Sequence, residues 1–485
     1  MVLSVAGRVG LGLSLDRSIR CGPCGAEGLN HDGDNSVCLS MAMKCNSDPV
    51  VCKFLADAGV GFDCASKVEM QQILQLGVHP SRIVYANPCK ASTHLQFALN
   101  NTVDLMTFDD LYELVKIQNH YPNARLLLRI QSSKEHKAKH DFNKKFGCDP
   151  DDAPGLLRTA MEMSLDVVGI SFHVGSLPEE VSSFASTIKE ANDVFTYGEM
   201  LGFDMQILDI GGGFPGIDSE NMTFEMVAET VNEALERHFP VARGTEIIAE
   251  PGRYLVTSAF TLAVNVIAKR VQHVTTKCSG YTLAPSSLTL LVSRDKDYSE
   301  GDSDEGTDLD DSIDEEGDID KGQRKIYMYY VNDGIYGAFN NVFTDHAIVF
   351  PELVSKLPCK PKTFPSMIWG PTCDGLDCVI HECQLPELDV GQWLYFHNMG
   401  AYTVSLSCGF NGIERPRLFY VCSDTCWNHV HAAPNQSACS SSSSTDDWEV
   451  CTHKNAPKQV TLKNKGKSLT TQIQHFSSAQ SFVKG

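Results

Sequence analysis

The chain has 485 residues, 42% of them hydrophobic, and a formal net charge of −21. This length predicts more than one domain, with enough apolar residues for packed cores. No basic cluster suggests nucleic-acid binding, and no apolar run reaches the ~20 residues of a membrane span, so we expect neither partner. The 18 cysteines are scattered through a long chain, which favours reduced thiols and a cytoplasmic location, and their spacing predicts no metal site.

The first half of the chain alternates between two kinds of pattern. Residues 1–36 are glycine-rich with little periodicity, and we predict a poorly structured leader. Amphipathic helical patterns then separate eight short apolar runs, and helix-start signals occur at Asp48-Pro49 and Ser66-x-x-Glu69. The runs are 38–43, 60–64, 83–86, 105–108, 126–130, 167–172, 206–210 and 246–249. Eight strands alternating with helices predict a (β/α)8 TIM-type barrel over residues 37–257.

The second half has strand patterns without helices between them. The runs are 258–268, 326–331, 367–369, 392–396, 402–406 and 418–422. They predict a mainly antiparallel β-domain over 258–430. Twelve acidic and no basic residues between 300 and 320 indicate a disordered insert at about 276–322. The Ser-rich and then Lys-rich segment 431–485 is predicted to be a disordered tail.

The most informative stretch is Met205–Gly216, MQILDIGGGFPG. Three consecutive glycines weaken any regular element, so bare backbone is required there, and one reason is close approach to a phosphate. A triple glycine alone is equally consistent with a flexible turn. The neighbouring stretch EIIAEPGRY favours the phosphate, because it places Glu250 and Arg253 at the end of the next predicted strand.

Reactive groups of a barrel lie where its strands end. The candidates there are Lys44, Asp63, Arg129, His173, Ser176, Gly211, Gly212, Gly213, Glu250 and Arg253. A lysine can bind an aldehyde cofactor covalently, a carboxylate can pair with a pyridinium nitrogen, and an imidazole can lie against a planar ring. Singly, each has a simpler interpretation, such as a surface lysine, a helix cap or an ion pair. Jointly they predict a site for pyridoxal 5'-phosphate.

Nine sequence blocks carry a family resemblance over about residues 37–428. They are MKCN around Lys44, FDCAS, YANPCK, FHVGS, LDIGGGFPG, AEPGRY, VNDGIYG, WGPTCDGLD and NMGAYTV. Together they closely resemble the eukaryotic ornithine decarboxylases. The resemblance implies a pyridoxal-phosphate barrel of the alanine-racemase type with a β-domain, assembled as a head-to-tail homodimer whose active sites lie at the interface.

The resemblance also implies individual roles. Lys44 would bind the cofactor, His173 would stack on its ring and Glu250 would contact the ring nitrogen. The cofactor cradle would comprise Ser176, Gly211, Gly212, Gly213, Arg253 and Tyr402, with Asp63 and Arg129 close by. Cys373 would return a proton after carbon dioxide leaves, and Asp345 and Asp374 would receive the distal ammonium of ornithine. Cys373 and Asp374 would come from the other subunit.

The implied activity is decarboxylation of L-ornithine to putrescine, the first step of polyamine biosynthesis. One alternative is a weak or inactive homologue that binds antizyme, and another is a decarboxylase of a related amino acid. Retention of Lys44, Asp63, Cys373 and Asp374 favours an active enzyme. Two positions depart from the resemblance, because Thr344 replaces an aromatic residue and Leu177 replaces glycine, and both bear on substrate fit.

Overall fold

The computed structural model describes residues 2–4, 37–134, 136–275, 323–354, 361–421, 450–451, 459–464 and 467–472. The predicted acidic insert at 276–322 lies outside these residues, as do most of the leader and most of the tail. Within the described ranges, no helix has the length and apolar character needed to cross a membrane.

The elements up to residue 256 alternate between strands and helices. The strands are β1 (Val2–Ser4), β2 (Val37–Ala42), β3 (Gly61–Cys64), β4 (Ile83–Tyr85), β5 (Leu105–Phe108), β6 (Arg125–Arg129), β7 (Ala138–His140), β8 (Asp166–Ser171), β9 (Ser176–Pro178), β10 (Ile207–Asp209) and β11 (Glu246–Ala249). The helices are α1 (Pro49–Asp57), α2 (Lys67–Gln75), α3 (Ser92–Asn100), α4 (Leu111–His120), α5 (Ala153–Glu162), α6 (Ser182–Leu201), α7 (Phe224–His238) and α8 (Gly252–Val256).

Eight of these strands close into a parallel barrel in the order β10-β11-β2-β3-β4-β5-β6-β8. The predicted barrel is therefore confirmed, with strand boundaries within two residues of those expected. Aliphatic side chains fill its interior: Val84, Leu105, Leu127, Val168, Ile207 and Ile248, all at most 6% exposed. Burial of each such side chain stabilises the fold by ~1.5–3 kcal/mol. β7 and β9 lie outside the barrel as a separate antiparallel pair.

Helix caps fix the loops that follow the first two barrel strands. The Asp48 carboxylate accepts hydrogen bonds from the N–H groups of Val50 and Val51 at the start of α1. At α2, the Ser66 hydroxyl accepts from the Glu69 N–H, and the Glu69 carboxylate accepts from the N–H of Ala65 at 2.6 Å. These are the predicted helix starts, and they hold the loops that follow β2 and β3 at one end of the barrel.

The second domain is a mixed, mainly antiparallel sheet with the strand order β14-β17-β12-β13-β15-β16. Its strands are β12 (Phe260–Thr275), β13 (Gln323–Val331), β14 (Glu352–Leu353), β15 (Thr363–Trp369), β16 (Cys378–Pro386), β17 (Trp393–Phe396) and β18 (Phe419–Val421), and a short helix, α9 (Asn340–Thr344), precedes β14. β1 pairs antiparallel with β12 and parallel with β18. The prediction of a β-domain is confirmed.

Some local predictions were wrong. Residues 402–406 form turns rather than a strand, because Tyr402 has a left-handed φ of 53° and the Leu406 N–H bonds to the Thr403 carbonyl oxygen. The poorly structured leader includes β1, since three residues suffice for pairing but are too few to show a period. β16 was not predicted, because its centre, His381-Glu382, is polar and exposed.

The predicted disordered tail contains a small antiparallel sheet. Its strands are β19 (Val450–Cys451), β20 (Gln459–Asn464) and β21 (Lys467–Gln472). Composition predicts disorder here, but the register of the hairpin pairs β-branched residues, Val460 with Thr471 and Thr461 with Thr470. Such residues favour strands, so local propensity outweighs composition in this segment.

Candidate active site

Lys44 lies two residues beyond the end of β2, at the carboxyl end of the barrel. Its Nζ donates a hydrogen bond to Oδ2 of the buried Asp63, 3.0 Å away on β3. Burial disfavours the charged form of the amine and by itself would lower the pKa of Lys44. Attraction to Asp63 and Glu250 is stronger, so the pKa of Lys44 is raised. The side chain remains 43% exposed at the cavity mouth, so water screens part of this effect.

A cavity opens to solvent beside this lysine. Its lining comes from the ends of β2, β8, β10 and β11 and from the β-domain. The lining residues are Ala42, Lys44, His173, Ser176, Gly212, Gly213, Phe214, Glu250, Pro251, Gly252, Arg253 and Tyr402. Nearly all the predicted barrel residues therefore meet in one place. Within the described ranges, no group of three or more His, Cys, Asp or Glu side chains could hold a metal ion.

The three glycines after β10 leave no room for side chains. A Cβ on Gly211 would lie 2.2 Å from the Phe172 carbonyl oxygen, and one on Gly212 would lie 2.8 Å from Nε2 of His173. Gly211 and Gly213 also have left-handed φ values of 61° and 106°. The run is therefore a packed wall of bare backbone rather than a flexible turn.

Two buried carboxyl groups, Asp209 and Glu250, stand side by side under the glycine run. Burial raises the pKa of Asp209 to about 6, and burial together with repulsion from Asp209 raises that of Glu250 well above its usual value. Asp209 Oδ1 accepts from the Gly211 N–H at 2.9 Å, and a protonated Glu250 can donate to Asp209. The two groups therefore titrate as a pair that retains one proton near neutral pH.

His173 is a neutral imidazole at this site. Burial and the positive charges of Lys44 and Arg129 lower its pKa well below the usual range. Nδ1 accepts a hydrogen bond from the Gly175 N–H at 3.0 Å, which leaves the proton on Nε2. The edge of the ring contacts Phe142, with ring centroids 4.9 Å apart. Arg129 lies over the Phe146 ring instead of in the lining.

Arg253 joins two groups for which separate roles were predicted. One guanidinium nitrogen donates to Asp345 Oδ2 at 2.7 Å and the other to the Ser176 hydroxyl at 2.9 Å. The guanidinium also lies 4.7 Å from the centre of the Tyr402 ring. The predicted phosphate ligand and the predicted substrate carboxylate are thus an ion pair, and both partners are largely buried.

Cys373 and Asp374 are not brought to this cavity. They lie on the loop between β15 and β16, where Cys373 is exposed and its N–H donates to Oδ1 of Asn411 at 2.9 Å. Asp374 accepts hydrogen bonds from the Tyr336 hydroxyl and the Leu376 N–H, and the first of these lowers the pKa of the carboxyl group. Within one chain, the predicted proton donor is therefore absent from the site.

Two residues near the cavity were not predicted. Asp209 had a sequence signal, because an acid at a strand end, two residues before a glycine run, is unlike a solvated surface acid. His140 had no such sequence signal, since it is one of several polar residues in a segment without clear periodicity. The structure places Nε2 of His140 3.5 Å from Oδ1 of Asp345.

Comparison with known proteins gives a consistent result. Residues 32–257 match the family model described as "Pyridoxal-dependent decarboxylase, pyridoxal binding domain". The chain is 43% identical to rat ornithine decarboxylase over 388 residues, which covers 80% of this chain and 76% of the rat protein. It is 42% identical to antizyme inhibitor 2 of Xenopus laevis over 390 residues, covering 80% and 76% of the two chains.

A similar solved structure is the arginine decarboxylase of Paramecium bursaria Chlorella virus. The TM-score is 0.69 at 30% sequence identity, and the match covers 86% of this chain and 94% of the viral protein. The match extends well beyond the barrel, so the arrangement of barrel and β-domain is shared.

Proposed function

The chain belongs to the family of pyridoxal-dependent decarboxylases, and we propose that it converts L-ornithine into putrescine and carbon dioxide. The observation that carries this proposal is the position of Lys44. Its amine lines a cavity that combines bare glycine backbone, a buried carboxyl pair and an arginine. The 43% identity to an ornithine decarboxylase over most of the chain supports ornithine as the substrate.

The residues present fit pyridoxal 5'-phosphate. Gly212 and Gly213 present backbone N–H groups where any side chain would clash, and Arg253 and Ser176 add donors for a phosphate. Lys44 is the amine for the aldehyde carbon. When bound, the cofactor supplies a ring that accepts the electrons released as the substrate carboxylate leaves.

The electrostatics of the site suit that chemistry. Glu250 and Asp209 hold a proton in a dry environment, so Glu250 can keep a proton on the ring nitrogen. His173 is neutral, so it can lie flat against an electron-poor ring without charge repulsion. Asp63 orients the Lys44 amine from 3.0 Å, and Arg129 balances the negative charges behind the ring.

The other half of the site would come from a second copy of the chain. Cys373 would return a proton from its Sγ to the substrate α-carbon, and Asp374 would join Asp345 in binding the distal ammonium. The exposed apolar side chains Leu376 and Phe410 lie beside these residues, as expected for a surface covered in a homodimer. Cytoplasmic location is also proposed, supported by the buried free thiols Cys45, Cys52 and Cys64.

A substrate panel tests the proposal. Carbon dioxide release from ornithine, lysine, arginine and leucine should be fastest with ornithine, and Asp345→Asn should raise the KM for ornithine by about 10²-fold. Asp57→Asn, an exposed carboxylate on α1, is the matched control and should change nothing. Leucine turning over as fast as ornithine would rule out the proposed role of the acidic pair.

A second candidate is supported by the 42% identity to an antizyme inhibitor. In that case the protein would bind antizyme without decarboxylating ornithine. The absorbance of the purified protein after incubation with pyridoxal phosphate and removal of the unbound cofactor separates the two, because covalent attachment at Lys44 gives a visible or near-ultraviolet band that a non-binding homologue lacks. Antizyme binding with neither this band nor carbon dioxide release would favour the second candidate.

A further inference from the structure

His140 reaches the Arg253–Asp345 pair from outside the barrel. In the antiparallel pair of β7 and β9, His140 lies directly opposite Ser176, the residue that accepts a hydrogen bond from Arg253. This register places the imidazole beside the ion pair. Its Nε2 is buried, lies 3.5 Å from Oδ1 of Asp345, and has no hydrogen bond among the described residues.

The surroundings of the imidazole are mixed in charge. Asp345 and His346 face it from the end of α9, Arg253 from α8, and Lys139 from its own strand. The His346 ring is nearly parallel to it, with centroids 6.4 Å apart, and Lys139 donates to the His346 carbonyl oxygen at 3.4 Å. Asp345 is thus the anion among these groups, and Arg253 already occupies its Oδ2.

We propose that His140 makes substrate binding at Asp345 depend on pH, with the neutral imidazole permitting and the protonated imidazole opposing capture of the distal ammonium. This inference rests on the proposed function, since it concerns the same carboxylate. Neutral His140 leaves Oδ1 open to a cation. Protonated His140 would bind Oδ1 itself and would place a second positive charge within a few ångströms of the incoming ammonium.

The direction of this pH effect follows from the groups around His140. Burial lowers the pKa of His140, Asp345 opposes that effect, and the positive charges nearby add to it. The imidazole is therefore neutral at neutral pH and gains its proton only in the acid range. Two like charges a few ångströms apart at a half-exposed site should weaken binding about tenfold. His140 touches none of the predicted reacting groups, so it is a positioning residue and the effect should fall on KM rather than on kcat.

Steady-state kinetics give the first test. Between pH 8 and pH 5.5, the KM for ornithine of the holoenzyme should rise about tenfold more than that of His140→Gln, with similar kcat in both. His136→Gln is the matched control, because His136 lies on the same segment but contacts Glu180 and Ser186. A KM profile of His140→Gln that follows the wild type at every pH would overturn the inference.

Histidine NMR on the wild-type holoenzyme gives a second test that needs neither turnover nor a variant. Coupling between two sites is reciprocal, so a bound diamine must lower the pKa of His140 by the amount that protonation weakens the diamine, about one unit for a tenfold effect. Putrescine is the probe. Binding of putrescine without a shift at His140 would refute this inference alone. Failure of putrescine to bind, together with absence of ornithine turnover, would refute the proposed function as well.

Discussion

The Lys44 cavity and the Cys373 loop represent two opposite ways of holding functional groups. In the cavity, nearly every charged side chain already has a partner, as Lys44 has Asp63 and Arg253 has Asp345. On the loop between β15 and β16, Cys373 is a free thiol exposed at the surface. One region pairs its charged groups within the chain, and the other exposes its functional groups at the surface.

The exposed loop is nevertheless held firmly. The buried Asp377 carboxylate accepts hydrogen bonds from the Ile335 N–H and from both the N–H and the hydroxyl of Thr372. Gly334 and Gly370 pack so tightly on it that a Cβ on either would lie 2.2 Å from Oδ1. A rigid loop that exposes a thiol is better explained by a surface awaiting a partner than by local disorder.

The largest effect should come from the cavity. Lys44→Ala removes the amine that would bind the cofactor, and we expect ornithine decarboxylation to fall at least ~10³-fold. Borohydride reduction of the wild-type holoenzyme followed by peptide mass mapping should label Lys44. Lys53→Ala, which removes an exposed lysine paired with Asp57, is the control and should keep full activity. A label on another lysine would contradict the assignment.

Subunit mixing tests whether the two regions meet in trans. Lys44→Ala and Cys373→Ala chains should each be inactive, but their hybrid dimer contains one intact site. With random exchange, half of the dimers are hybrids, so activity should recover to about a quarter of the wild-type value.

The control for this mixing experiment pairs two cavity variants, Lys44→Ala with Glu250→Gln. Both changes damage the barrel half, so no combination of these chains contains an intact site. Recovery there, or none in the first mixture despite proven subunit exchange, would contradict a shared site.

The strand ends were predictable from sequence because hydrophobic period and glycine placement are local signals. Eight apolar runs between helical patterns determined the barrel, and any barrel brings strand ends together. Lys44, His173 and Glu250 could thus be assigned to one site before their distances were known.

Other features depend on contacts that no local pattern encodes. The Arg253–Asp345 pair joins residues 92 positions apart, and the place of His140 depends on the register of β7 against β9. The turn at Tyr402 contains an apolar, β-branched stretch, YTVSL, that favours a strand. The Tyr402 N–H instead donates a hydrogen bond to the carbonyl oxygen of Cys45, next to Lys44. This tertiary contact overrides the local strand propensity.

A smaller effect should follow from Glu250→Gln, which retains the shape but cannot carry the proton. We expect turnover to fall about 10²-fold. The cofactor-free protein should become more stable at pH 8. The folded-state pKa of Glu250 lies well above its usual 4.5, so this group favours folding in acid and loses that contribution as the pH rises towards the folded-state pKa. Glutamine is neutral at every pH and therefore carries no such loss.

Thermal unfolding at two pH values measures that stabilisation. The melting temperature of cofactor-free Glu250→Gln should exceed that of the wild type at pH 8 and approach it at pH 5, which lies near the ordinary pKa of a glutamate side chain, where the loss is small. Glu246→Gln, at the opposite end of β11, is a control that should lack this pH dependence. Equal differences at both pH values would mean that the buried carboxyl pair is not their source.

The smallest effect should come from Thr344, the last residue of α9 and the neighbour of Asp345. Its hydroxyl donates to the Asn340 carbonyl oxygen at 2.9 Å, and its side chain is too short to form a wall beside the carboxylate. Thr344→Tyr should lower the KM for ornithine about threefold, because a ring would restrict the substrate chain without adding a charge. Loss of the hydrogen bond made by the Thr344 hydroxyl can itself cost about 1 kcal/mol of stability. A lower KM is therefore attributed to the added ring only where kcat is unchanged. Thr344→Ser, which keeps the hydroxyl and adds no wall, separates these contributions and should leave the KM unchanged. If serine and tyrosine shift the KM alike, the effect arises from α9 itself, and the pocket width near Asp345 does not set the affinity.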